Sequence, residues 1–214
     1  MRFRAKPLAV LVALILLLLG GFGLRYYWTH RYDKLIQEQA RKRGLDPALV
    51  KAIIYEESFF NPYAASQAGA LGLMQVTPIA LKEWLEAGGY KSETEAFARE
   101  FDRVSWKNRT GIEARDLLYQ PEINLSIGCW YLKHLLKRYE DEKEPLPIAL
   151  AGYNAGPTHA SRWNRPGADG KPLTTEEFIK QIDFPQTREY VQKILNRYQQ
   201  YRREEFELQS TARN

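Results

Sequence analysis

Between Pro7 and Leu24 the chain runs for 18 residues without a charge, almost all of them aliphatic or glycine. As a helix this run would be about 27 Å long at 1.5 Å per residue, close to the thickness of a bilayer core. Tyr26-Tyr27-Trp28 follow at once, where an interfacial aromatic belt would lie. The run divides the chain into an N-terminal segment, residues 1–31, and a remainder, residues 32–214. Gly21-Phe22-Gly23 offers a small-x-small pattern for a cleaved signal peptide, but the apolar stretch exceeds the usual signal core. Its length favours an uncleaved membrane anchor, with a cleaved and secreted form as the alternative.

Charge follows the same division. The whole chain carries +5, yet residues 1–31 hold Arg2, Arg4, Lys6, Arg25 and Arg31 and no acid. Without those five the remainder balances 26 basic against 26 acidic residues, so its surface gives no reason to expect nucleic-acid binding. Cys129 is the only cysteine, which excludes an intramolecular disulfide. His30, His134 and His159 are scattered with no ligand spacing, and neither a metal nor a cofactor is expected.

The remainder reads as helices separated by turn signals. Tyr32–Arg43 has Leu35, Ile36 and Ala40 at helical spacing and stops at Gly44. Asp46 and Pro47 cap and open a second helix that carries Leu49, Val50, Ile53 and Ile54 to a Glu pair and ends at Asn61-Pro62. Pro78–Ala87, Pro121–Tyr139, Pro147–Tyr153 and Pro185–Tyr201 supply four more. Alternating strand patterns are scarce, so the fold class is all-α. Residues 88–120 have mixed charge and weak periodicity.

The chemistry concentrates in a few runs. Glu56-Glu57-Ser58-Phe59-Phe60-Asn61-Pro62 sets an acid at the end of an apolar helix. Glu57 lies four residues after Ile53 and three after Ile54 and shares their face; Glu56 is nearer the edge. A carboxyl among apolar side chains holds its proton near neutral pH, as required to protonate a leaving sugar oxygen. A solvated Glu pair at a helix end is the plainer alternative. Ser66 through Gly72 is a small-residue loop that lets a ligand approach the backbone, and Met74-Gln75 follow it. Gly152-Tyr153-Asn154-Ala155-Gly156 places a phenol and an amide between glycines at a helix end. Asn124, in the first turn of the longest helix, fits a structural role better than a catalytic one.

In order, these runs resemble the soluble lytic transglycosylase catalytic domain, a lysozyme-like fold related to goose-type lysozyme. The resemblance covers about residues 33–200. Glu57-Ser58 and Phe60-Asn61-Pro62 are similar to its catalytic-glutamate motif, and Ser66 through Gln75 to its Gly-Leu-Met-Gln segment. Asn124, Gly128, Tyr131 and Leu132 are similar to the third motif, Tyr153 through Pro157 to the fourth, and Thr187-Arg188 with Tyr190-Val191 to the final helix. Thr77-Pro78 stands where the family has Met-Pro, and Gln186 where a Glu is common. The stretch from Gln75 to Asn124 is longer than usual, with residues 86–116 as the apparent insertion.

The resemblance implies a peptidoglycan enzyme that cuts the β-1,4 bond between N-acetylmuramic acid and N-acetylglucosamine. Glu57 would act first as acid and then as base, and the sugar's own C6 hydroxyl would close a 1,6-anhydro ring. Ser66 and Gln75 would hold polar groups of the glycan, Met74 would pack beneath it, Tyr153 would bond near Glu57, and Asn154 would assist. The partners implied are glycan strands and the membrane, with the domain on the periplasmic or extracellular side of a bacterial membrane. Two alternatives stand beside it. One is a hydrolase using Asp102, Glu113 or Asp116 to activate water; the other is a tethered wall-binding module that no longer cuts.

Overall fold

A computed structural model describes residues 5–89, 116–167 and 170–211. Nine helices appear among them, in the order α1 Ala5–His30, α2 Asp33–Lys42, α3 Pro47–Ser58, α4 Pro78–Glu86, α5 Pro121–Arg138, α6 Pro145–Ala155, α7 Pro157–Trp163, α8 Thr175–Gln181 and α9 Pro185–Thr211. Proline opens α3, α4, α5, α6, α7 and α9, at the position where its missing N–H costs nothing. No strand forms among the described residues, only isolated bridges at Ala65–Leu71 and Leu71–Val76. The all-α expectation holds. The long stretch assigned to an insertion lies mostly outside the described residues.

α1 stands apart from the rest up to Leu24, and its end at Trp28 meets the core. Its side chains from Val10 to Leu24 are solvent-exposed, Leu18 by 74%, and its length and apolarity suffice to cross a membrane. Apolar area on that scale is stable only under lipid or another apolar cover.

The other helices share one core, with α3 at its centre. Leu49, Val50, Ala52, Ile53 and Ile54 of α3 are buried, which is why its carboxyl end is carried into the interior. α2 and α9 pack on α3, and α9 also packs on α6; α5 lies against α2, α4 and α6. α9 runs antiparallel to α3: Tyr198 donates to Asp46 at the start of α3, while Tyr190 and Arg197 reach the glutamates at its end. The loop between α3 and α4 is tied to α5 by Asn124, buried at 1% exposure. Its Nδ2 donates to the carbonyls of Leu71 and Leu118, and its Oδ1 accepts from the Met74 N–H, all at 2.7 Å. One amide thus ties three buried backbone groups together, the Leu71 carbonyl also accepting from the Val76 N–H. Its role is structural, as its position in the sequence implied.

Boundaries moved where local chemistry overrode a breaker. α3 ends at Ser58, short of Asn61-Pro62, because Phe59 and Phe60 both adopt left-handed backbone (φ 49° and 61°). α8 has no apolar run long enough to announce it. A reciprocal capping box, Thr174 with Glu177, defines it instead. α9 extends ten residues past Tyr201 on a sequence rich in charge, with residues 202–206 exposed.

Candidate active site

Burial of α3 brings Glu56 and Glu57 to the surface of α9, where their fates diverge. Glu56 Oε1 pairs with Arg197 Nε at 2.7 Å, and the same guanidinium stacks 3.3 Å from the Tyr55 ring centroid. Glu57 is held by a phenol instead of a cation. Its Oε1 accepts a 2.6 Å hydrogen bond from the Tyr190 hydroxyl. Burial pushes the Glu57 carboxyl up from the ordinary value of 4.5 to about 7, against the downward pull of the Tyr190 hydrogen bond and with help from the negative charge of Glu56. Glu57 also sits at the carboxyl end of α3, whose dipole opposes a negative charge there. A carboxyl near pH 7 in its titration populates acid and base forms equally, which suits a group that must give a proton and then take one.

Both neighbouring phenols remain protonated donors. Burial first, then the charge of Glu57, holds Tyr153 and Tyr190 well above the usual range for tyrosine. Tyr153 does not bond to the acid directly: its hydroxyl donates to the Met74 carbonyl at 2.8 Å, and its ring lies 5.6 Å from that of Tyr131. Tyr190 is the direct partner.

Of the other expected site residues, Gln75, Tyr153 and Asn154 line one hollow, while Ser66 and Met74 lie behind it. Tyr153 and Asn154 line a hollow of about 260 Å³ together with Gln75, Thr77, Gly128 and Tyr131. Glu57 itself is not part of that lining. The Asn154 Oδ1 accepts from Thr187 at 2.7 Å, which turns its Nδ2 outward as a donor. Gln75 has φ 47°, and its Nε2 donates to the carbonyls of Ala64 and Gly72, which locks the loop. Ser66 Oγ accepts from the Ala70 N–H and shapes the same loop. Met74 is fully buried against Gly128 and Cys129, a floor rather than a contact surface. A second hollow of about 360 Å³ continues past Tyr131 and Glu83 toward Trp130, His134 and Arg138. Glu83, Tyr131 and Pro157 line both hollows, so the groove is one extended feature. It carries aromatic faces and charged groups, a lining suited to sugars.

The sequence placed Thr187 and Tyr190 in the final-helix motif without giving either a partner, and it did not single out Arg197. They form one stripe of α9, Thr187, Tyr190, Ile194, Arg197 and Tyr201, at the alternating three- and four-residue spacing of a buried face. The motif match at Thr187 and Tyr190, continued at helical spacing to Arg197, was the available signal. Of the carboxylates considered for a hydrolase, Asp102 and Glu113 lie outside the described residues, and Asp116 is exposed. Glu83 is a carboxylate in the groove that the sequence did not single out.

Comparison with known proteins bears on family and fold. A family model described as the transglycosylase SLT domain matches residues 34–172. A membrane-bound lytic murein transglycosylase C from Salmonella arizonae is 31% identical over 132 residues, which covers 60% of this chain and 32% of that protein. The match thus spans about a third of the length of that relative. An inactive variant of the lytic transglycosylase Slt from Pseudomonas aeruginosa superposes with a TM-score of 0.62 at 26% identity, over 83% of this chain and 25% of that one. The 70 kDa soluble lytic transglycosylase of Escherichia coli gives 0.63 at 24% identity, over 80% and 24%. The helical domain has the lysozyme-like fold these proteins share.

Proposed function

The chain belongs to the transglycosylase SLT domain family, and we propose that it is a peptidoglycan lytic transglycosylase with Glu57 as its one catalytic carboxyl. The observation that carries this reading is the division of labour at the end of α3. Glu56 is neutralised by Arg197, whereas Glu57 is desolvated and raised to about 7. With Oε1 held by Tyr190, Oε2 is the oxygen that delivers the proton to the glycosidic oxygen. The bond to the anomeric carbon then breaks, and the substrate's N-acetyl group stabilises the positive charge left behind. The Glu57 carboxylate next accepts the proton of the C6 hydroxyl, whose oxygen attacks the anomeric carbon and closes the 1,6-anhydro ring. The proton lost in the first half returns in the second, and no water is consumed. Asn154 Nδ2 and the aromatic wall of Tyr131 and Tyr153 hold the sugar against the acid. Gln75 and Ser66 act by fixing the loop that forms the near rim. α1 crosses the membrane and keeps the domain at the wall face of a bacterial envelope.

The test is the product. The full chain in detergent is incubated with isolated peptidoglycan, and the released muropeptides are weighed by mass spectrometry. Ends carrying 1,6-anhydro-N-acetylmuramic acid, absent with Glu57→Gln, are the expected result. Free reducing ends would replace it with hydrolysis, for which Glu83 in the groove lining is the base to examine. Wall binding without products would replace it with a tethered binding module.

A further inference from the structure

The end of α1 and the residue just past it are bonded to the turn that follows the acid. Trp28 Nε1 donates to the Phe59 carbonyl at 2.7 Å, and an Arg31 Nη2 donates to the carbonyl of Phe60. The Arg31 guanidinium is sandwiched, 3.6 Å from the Trp28 ring and 4.8 Å from that of Tyr32. Arg25 lies 5.9 Å from the centre of the Phe59 ring. Phe59 and Phe60 are consecutive left-handed residues with bulky side chains, a backbone state that disfavours itself unless the surroundings hold it. What holds it is visible. The Phe60 ring is fully buried, Tyr55 meets both rings edge-on, and Trp28 of α1 with Arg31, the residue just past its end, accounts for both carbonyls. From the opposite side Ser58 Oγ donates to the Leu73 carbonyl at 2.8 Å. The final turn of α3, which bears Glu57, is thus fixed between the Leu73 loop and the end of the apolar helix.

We propose that Trp28 and Arg31 are positioning residues for Glu57: the base of the apolar helix clamps the Phe59–Phe60 turn and so sets where α3 ends and where its carboxyl points. The helix is then more than a tether, and the catalytic unit begins before Tyr32. Residues 25–31 precede the stretch that the family model matches, so the clamp belongs to this chain's own N-terminal segment. The inference rests on Glu57 being the acid and adds that its geometry depends on the segment that enters the membrane.

The experiment uses the full chain in detergent micelles. Trp28→Phe keeps a ring under Arg31 and removes only the N–H that reaches Phe59; Arg31→Lys keeps the charge but loses the planar stack. Three readouts are taken: kcat and KM on a soluble glycan oligomer, the pH dependence of kcat, and the titration of the Glu57 carboxyl by carbon NMR of glutamate-labelled protein. Glu56, Tyr153 and Tyr190 surround that carboxyl and are unchanged in both variants. The clamp predicts a fall in kcat of about tenfold for Trp28→Phe with KM within about twofold, since small misplacements of a catalytic group are costly. It also predicts a displaced Glu57 titration and an intermediate effect for Arg31→Lys. An unchanged kcat and titration overturn it, even if the melting temperature falls, because the contact would then be only a structural strap. If the unaltered chain cuts no glycan, the proposed activity fails separately, and the Glu57 titration still decides the clamp.

Discussion

Tyr190 Oη stands 2.6 Å from Glu57 Oε1, so the acid near the start of the domain is held by a residue 133 positions further along the chain. The bond stabilises the carboxylate and therefore lowers the Glu57 pKa, against burial, which raises it. Tyr190→Phe removes the lowering contribution alone. The pH above which kcat falls should move upward from about 7, and kcat at its optimum should drop by about tenfold as the carboxyl loses its fixed orientation. A pH–rate series on both proteins measures each effect.

Raising the Glu57 pKa has a stability consequence of definite sign. The unfolded chain releases this proton near 4.5, whereas the folded chain keeps it to about 7. Between those values the folded state binds more protons, so stability falls as pH rises through the window and then levels off. The ceiling of the effect is about 3 kcal/mol, from roughly 1.4 kcal/mol for each tenfold gain in proton affinity on folding. Glu57→Gln cannot ionise and escapes this loss. Its melting temperature should match the unaltered protein near pH 4 and exceed it by several degrees at pH 8, although cleavage is lost at both.

The pair formed by Glu56 and Arg197 separates structure from chemistry. Glu56→Gln should retain cleavage within a few-fold, because the proposed proton donor is its neighbour Glu57. Arg197→Met leaves the Glu56 side chain, 13% exposed, without its cation and loses the stack on Tyr55. A destabilisation of about 2–3 kcal/mol is expected, smaller than for a fully dry pair because water still reaches both groups. Denaturant unfolding of the two variants provides the comparison, with glycan cleavage assayed alongside.

Much of this site was legible because its chemistry is local. The face shared by Ile53, Ile54 and Glu57 is a matter of helical spacing, and prolines marked the starts of most helices. What the sequence hid were the long-range partners. Tyr153 sits beside the acid as its motif implied, but its hydroxyl is committed to the Met74 carbonyl, and the direct bond to Glu57 comes from α9. No pattern within α9 reveals which of its stripe meets which glutamate, since that depends on the antiparallel register against α3. The end of α3 was hidden for a related reason. Nothing in Phe59-Phe60 predicts left-handed backbone; the contacts that hold it come from Trp28, Arg31 and Tyr55.

Gly128 shows how tightly the floor of the groove is set. A Cβ built there would lie 2.5 Å from Met74 Sδ and 2.8 Å from Met74 Cβ, closer than packed atoms approach. Gly128→Ala should gain about 1 kcal/mol from helix propensity, because the residue lies within α5. Overpacking works against that gain by about 1–3 kcal/mol, because the Met74 backbone is fixed by Asn124 and Tyr153 and cannot retreat. The flexible thioether can yield, but the Met74 Cβ cannot. A net loss of up to about 2 kcal/mol follows. The displaced floor carries the Tyr153 hydroxyl with it, so KM for glycan should rise several-fold while the pH dependence of kcat, set at Glu57, stays in place. An alanine variant as stable as the original, with unchanged KM, would mean that Met74 repacks freely and that the floor is softer than its contacts imply.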